Sequence, residues 1–345
     1  MSQRQTLLVG SIPGENTSEA VSLALDELGP TLRAVPDGET GTRSQWVVGI
    51  VNELRSNPAL KLKRDGTWAS YKDRPVYSVR RGARLDPQSL NLGYDTAFHD
   101  SRSVIDALAR EQGVTDLTYQ VGVASGLDTA MLAFGLIGAF RYRKQFNRAA
   151  ADEMAKIADQ AGSDVIFQLE LGIELLASVR TPALLRRAVT SRMAAISVEL
   201  AEMAPPGSRF GIHLCFGDLG NHAMIRGLRD CSAAVGLANA IVARWPAQHR
   251  LEYIHIPLAA GEDPPALDAS YYQPLARLTL PPATRLAAGF VHEKLSDDQL
   301  RVVLGHIEAA SGGSVDVAAA CGLGRRSPSV ARHIMHSSRL LCEVP

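Results

Sequence analysis

The sequence predicts an α/β chain folded as a single (β/α)8 barrel, and three observations carry that expectation. Short β-type runs alternate with helix-period segments almost throughout, eight such runs can be counted, and 345 residues suit one large barrel. An open, doubly wound sheet is the alternative that the same alternation permits. No repeat, low-complexity linker or domain boundary interrupts the chain, so residues 1–345 read as one domain.

The first run, TLLVG at 6–10, leads into NTSEAVSLALDELG, where Thr17 or Ser18 suits a helix cap and Gly29 a helix stop. LRAV at 32–35 precedes the turn cluster PDGETG. Residues 43–110 are too long for one connection. They hold SQWVVGIVNEL and the polar, aromatic DGTWASYKDRPVYSVRRG, and are expected to form an excursion over one barrel mouth after the second strand. The amphipathic HDSRSVIDALAREQG precedes the third run, LTYQVGVA at 117–124. NRAAADEMAKIADQAG precedes DVIFQLE at 164–170, and a helical stretch near 182–203 precedes RFGIHLC at 209–215. LEYIHI (251–256), RLAAGFV (285–291) and SVDVAAAC (314–321) complete the set. Helical CSAAVGLANAIVARW and SDDQLRVVLGHIEAASG lie between them, and PSVARHIMHSSRLL follows.

Lys+Arg and Asp+Glu both number 36, so no basic excess points to nucleic acid or an anionic membrane as partner. No stretch approaches the ~20 apolar residues that cross a bilayer. The start, MSQRQTLLVGSIPG, lacks the apolar core of a signal peptide. Cys215, Cys231, Cys321 and Cys342 are too widely spaced for a disulfide framework in a chain of this size. They fit a reducing cytoplasm with metal-binding or catalytic thiols.

The C-terminal strand ends of a parallel barrel carry its chemistry. Here those ends read Ser11, Asp37 with Glu39, Ser125 with Asp128, Glu170, His213 with Cys215, His255, His292 and Cys321. Strand packing has no need of that pattern. Residues i and i+2 of a strand share a face, so His213 and Cys215 point to one place. With Cys321 they offer one nitrogen and two thiolates, a donor set that zinc takes tetrahedrally while keeping a fourth position open for chemistry. The long separation of the cysteines and the lack of a CxxC pair exclude a zinc finger. Cys231 and Cys342 fall in helical stretches and are expected to be packing residues. Asp37 and Glu39, close to Arg43 in PDGETGTR, are candidate substrate ligands because their loop lies at the active end, although the same acids suit a turn and a helix start. Arg325 or Arg326 in CGLGRRSP could hold a carboxylate through its fork of donors.

VGSIPG at the first run, IHLCFGD at the fifth and AAACGLGRR at the eighth resemble the catalytic barrel of cobalamin-independent methionine synthase, a relative in fold of uroporphyrinogen decarboxylase. The resemblance implies a TIM barrel holding zinc through His213, Cys215 and Cys321. The zinc would bind a thiol substrate as thiolate for attack on a methyl group, with a methylfolate among the candidate donors. It further implies that Glu170 binds the substrate amino group, that His292 serves as general acid, and that Ser11, in the family's Gly-Ser-aromatic-Pro turn with Ile12 in the aromatic's place, binds substrate. The family's fourth ligand, a glutamate ending the sixth strand, falls on Pro257; His255, facing the same way, is the candidate substitute. Glu170-Leu171-Gly172 stands where the family has acid-acid-Pro, the second barrel of the long synthases is absent, and PDGETGTR lies outside the family pattern. The chain therefore reads as a single-barrel relative whose thiol need not be homocysteine. Two rivals remain at this point: a metal-free decarboxylase or lyase using Asp37 and Arg325, and a non-catalytic thiol- or metal-binding barrel.

Overall fold

A computed structural model of the chain describes residues 3–114 and 117–343. Its strands in chain order are β1 (Thr6–Leu7), β2 (Val35–Pro36), β3 (Leu60–Arg64), β4 (Val76–Val79), β5 (Tyr119–Ala124), β6 (Val165–Leu171), β7 (Arg209–Leu214), β8 (Arg250–Pro257), β9 (Arg285–Val291) and β10 (Asp316–Ala319). Eight of them form one parallel sheet in the order β1-β10-β9-β8-β7-β6-β5-β2, and each comes from one of the eight runs named above. The outer strands meet at a parallel bridge from Thr6 to Leu32, where the Arg33 N–H donates to the Thr6 carbonyl at 2.9 Å. The sheet thus curls round on itself in the manner of a TIM barrel, with β3 and β4 apart as an antiparallel hairpin.

The helices are α1 (Thr17–Leu28), α2 (Trp46–Glu53), α3 (Tyr94–Glu111), α4 (Gly126–Ala161), α5 (Ile173–Arg180), α6 (Ala183–Met203), α7 (Ser232–Val242), α8 (Asp297–Ser311) and α9 (Pro328–Glu343). The cap of α1 is Asn16, whose Oδ1 accepts from the Glu19 N–H, rather than Thr17 or Ser18; Gly29 ends the helix at φ 49°. Ser296 and Gln299 cap α8 reciprocally.

The stretch 43–110 divides in two. Its last part, α3, packs against α1 and α4 like the other outer helices. What departs from barrel alternation is the portion before it, with α2 and the β3–β4 hairpin. The start of α3 is held from across the fold: Glu153 of α4, buried, accepts from the N–H groups of Leu92 and Tyr94 at 2.8 and 2.6 Å. Amides at and just before a helix start have no intrahelical acceptor, so a carboxylate at this end satisfies them. Gly135, at φ 72°, breaks α4. Arg74, from the segment after β3, donates to the freed carbonyls of Leu132 and Met131 at 2.7 and 3.2 Å.

Inside the sheet, the middle layer is polar and satisfied. Tyr253 is fully buried over Gly211, where a Cβ would lie 2.0 Å from its ring. Its hydroxyl lies 3.0 Å from Gln168 Oε1 and 3.2 Å from Gln120 Oε1. The two glutamine amides donate in turn to the carbonyls of Leu8 and Val9. Two residues further along the same strands come Glu170, His213 and His255, which therefore stand one layer higher toward the C-terminal mouth.

Candidate metal centre

β6, β7 and β8 pair in register, with Glu170 opposite His213 and His213 opposite His255. Cys215 continues β7: its N–H donates to the Leu171 carbonyl at 3.2 Å, which keeps its side chain on the His213 face. Cys321 arrives from the loop after β10. That loop is tied to the first strand end by Ser11, whose carbonyl accepts from the N–H groups of Leu323 and Gly324 at 2.7 and 3.0 Å. The Ser11 hydroxyl accepts again from Gly324 at 3.3 Å.

One nitrogen of His213 and the sulfurs of Cys215 and Cys321 lie within 4.8 Å of one another. The two sulfurs are 3.9 Å apart, and Cys321 Sγ is 3.9 Å from His213 Nε2. The Gly217 N–H donates to Cys215 Sγ at 3.3 Å, the type of contact that steadies a thiolate. Contact with Cys215 and burial push the Cys321 thiol well above its ordinary range. Burial keeps His213 neutral, with His255 and Arg325 adding to the effect. A neutral imidazole beside two convergent sulfurs is a set that a borderline-soft divalent cation fits.

His255, expected as a fourth ligand, lies behind His213 instead. Its Nδ1 is 2.8 Å from His213 Nδ1 and its Nε2 is 3.0 Å from the Ala319 carbonyl, so both nitrogens are engaged. Burial lowers its pKa to about 4.

Cys215 and Cys321 border a cavity that Glu170, Asp128, Arg325, Trp68 and Tyr71 also line, with His213 fully buried behind them. Glu39, buried and outside that lining, approaches Glu170. A Cβ on Gly122 would lie 3.0 Å from Glu170 Oε1 and 3.3 Å from Glu39 Oε1, so the two carboxyls converge over that glycine. Gly10 gives Glu39 its room, since a Cβ there would lie 2.5 Å from Glu39 Oε1. Glu39 itself takes φ 47°, a left-handed conformation that costs a non-glycine residue energy and is found at functional sites. Burial, then the Cys321 sulfur, raises Glu170 to about 8, and burial beside Glu170 raises Glu39 well above the usual carboxyl range.

The remaining expected residues divide. Arg325 lines the cavity, paired with Asp218 at 3.2 Å and with a buried Nε that has no hydrogen-bond partner among the described residues. Arg326 is spent elsewhere, on Glu293 and on the Gly261 carbonyl. Asp37 is an ion-pair partner of Arg43 and accepts from the Glu39 N–H at 3.0 Å, so it orders the loop that carries Glu39 rather than facing the cavity. Ser11 likewise acts on a neighbouring loop. His292 is buried outside the cavity lining, with Nδ1 3.2 Å from the Lys294 nitrogen and 3.3 Å from Glu293, and with no hydrogen bond to Nε2 among the described residues. Cys231 and Cys342 are buried packing residues, as expected.

Sequence reasoning missed Asp218, Trp68 and Tyr71. The only signals were an acid three positions after Cys215 and two aromatics in the polar stretch after β3.

No family model matches the chain, and no curated protein matches it in sequence. Its fold is similar to that of a B12-independent methionine synthase from Shewanella sp. W3-18-1 in complex with selenomethionine, at 11% identity and TM-score 0.60 over 99% of this chain and 97% of that one. A putative vitamin-B12-independent methionine synthase from Listeria monocytogenes gives 10% identity and TM-score 0.51 over 99% and 98%. A methyltransferase from Methanosarcina mazei gives 10% and 0.53 over 98% and 94%. The similarity spans whole chains and is one of fold.

Proposed function

We propose that this chain is a zinc-dependent alkyltransferase that moves a methyl group to a thiol, with the metal held by His213, Cys215 and Cys321. The observation that carries the reading is the convergence of one imidazole and two thiols within 4.8 Å, beside a cavity that also holds Glu170 and Arg325. The solved structures of like fold are described as methionine synthases and a methyltransferase, which supports methyl transfer as the reaction class. When bound, zinc would supply a positive centre that keeps a substrate thiol deprotonated and nucleophilic at neutral pH.

In the net reaction, R–SH and CH3–X give R–S–CH3 and H–X. The S–C bond forms as the C–X bond breaks, the electron pair of that bond leaves with X, and the thiol proton ends on X. The chain's own residues orient the two substrates. Glu39 and Glu170 suit a cationic group of the acceptor, because an ammonium between them would offset the burial that keeps their carboxyls protonated. Arg325, fixed by Asp218, has a free Nε for a carboxylate. His292, the general acid that the resemblance implies, lies outside the cavity lining and is given no role in this reading. Ser11 and Asp37 hold the loops that deliver Cys321 and Glu39.

The test is metal content, followed by transfer assays from methylfolates, methyl ethers and methylsulfonium compounds to a panel of thiols. About one equivalent of zinc in the wild type, lost from Cys215→Ser and Cys321→Ser, together with a methylated thiol product, supports the reading. A folded wild type that cannot be loaded with zinc overturns it.

A further inference from the structure

The geometry points to His255 as a positioning residue that fixes the tautomer of His213, so that the His213 Nε2 lone pair faces the two thiols. The value of that tautomer to a metal rests on the function proposed above; the tautomer itself does not.

The hydrogen-bond partners fix which nitrogen carries each proton. The Ala319 carbonyl can only accept, so the His255 Nε2 that lies 3.0 Å from it carries a hydrogen. A neutral imidazole has one N–H, which leaves His255 Nδ1 as an acceptor. The two Nδ1 atoms are 2.8 Å apart and need one hydrogen between them, which must then come from His213. His213 is left with an unprotonated Nε2, the atom 3.9 Å from Cys321 Sγ. The opposite arrangement would require a cationic His255, fully buried, with only a carbonyl and a second imidazole to meet its charge.

The relay is built into three strands. Ala319 ends β10, two residues before Cys321, and is paired there with Val291 of β9. His255 pairs in register with His213 across β7 and β8. Gly289 of β9 leaves the space that the His255 ring fills, since a Cβ at that position would lie 2.5 Å from His255 Nε2. The strand that delivers one thiol therefore also orients, through His255, the nitrogen that faces it. Such outer partners of a ligating histidine change metal affinity by about 10–100-fold when removed.

The experiment uses metal-free full-length protein with 15N-labelled histidine and long-range 1H–15N correlation spectra. Signals assigned by His213→Gln and His255→Gln variants should show His213 protonated at Nδ1 and His255 at Nε2. A His213 signal protonated at Nε2 overturns the proposal. Zinc affinity by chelator competition then reads its consequence. His255→Leu should weaken binding about 10–100-fold, while His255→Asn, whose amide oxygen can accept from His213 Nδ1–H, should stay within a few-fold of wild type. Equal affinity of wild type and His255→Leu overturns the positioning role. A wild type with the stated tautomers that takes up no zinc leaves the relay standing and removes the metal reading.

Discussion

Adding one methyl group at position 289 tests whether the His255 ring is seated where the proton accounting needs it. A Cβ on Gly289 would lie 2.5 Å from His255 Nε2, 2.8 Å from Cε1 and 3.1 Å from the Ile256 carbonyl. Ordinary contact begins at 3.4 Å, so the ring must retreat by about 0.9 Å, while the carbonyl belongs to β8 and has little freedom. The hydrogen bonds at 3.0 and 2.8 Å do not survive a shift of that size in good geometry. Overpacking in a filled core costs about 1–3 kcal/mol and a lost buried hydrogen bond about 1 more, so Gly289→Ala should destabilise by about 2–4 kcal/mol in denaturant unfolding. Gly305→Ala is the control: it lies in α8 with nothing within 4 Å of its Cβ, and should gain up to about 1 kcal/mol from helix propensity. Gly289→Ala combined with His255→Ala should recover part of the loss, because the two sites share one space. A Gly289→Ala protein as stable as wild type, with unchanged histidine tautomers, would refute the seating of His255.

Metal-free protein should lose stability as pH rises from 4.5, the ordinary glutamate value, to about 8, because burial, then the Cys321 sulfur, keeps Glu170 protonated only in the folded chain. Glu170→Gln should flatten that slope in urea unfolding at several pH values, and an identical slope in both proteins contradicts the assignment. Gly322→Ala would set a Cβ 2.2 Å from Ser11 Oγ and 3.1 Å from the Ser11 nitrogen, so the Cys321 loop must move and zinc retention after dialysis should fall sharply. Glu153→Ala strips the carboxylate from the start of α3 and should cost about 2–4 kcal/mol in thermal or urea unfolding, since the two buried N–H groups of Leu92 and Tyr94 lose their acceptor.

The parallel strands were legible because buried strands read as continuous apolar runs bounded by turn residues. The first is shorter than its run. Leu8 and Val9 are apolar enough to extend β1, but their carbonyls are taken by the side chains of Gln120 and Gln168, which no local pattern announces. The β3–β4 hairpin was hidden by LKLKR and by the long connection between its strands. The first half of α4 was obscured by the break at Gly135. At the site, the rule that i and i+2 share a face brought His213 and Cys215 together, and barrel topology added Cys321. The same rule put His255 on that face without saying whether its ring would join the thiols or stand behind the first histidine. That choice was made by a neighbour on another strand: Gly289 opened the space that drew the ring aside. Asp218 was invisible because its approach to Arg325 depends on the turn at Gly217, where φ is 75°.

Two of the three donors lie on one strand and its continuation, while the third sits 106 positions after Cys215. A chain cut or stalled anywhere between them keeps a histidine and a cysteine, a two-donor fragment that competes poorly with cellular buffers for an ion. Retention of metal would therefore act as a certificate of completeness. Only a molecule whose eighth sheet strand has taken its place could hold the ion, and a preparation's metal-to-protein ratio would count its intact, correctly closed copies.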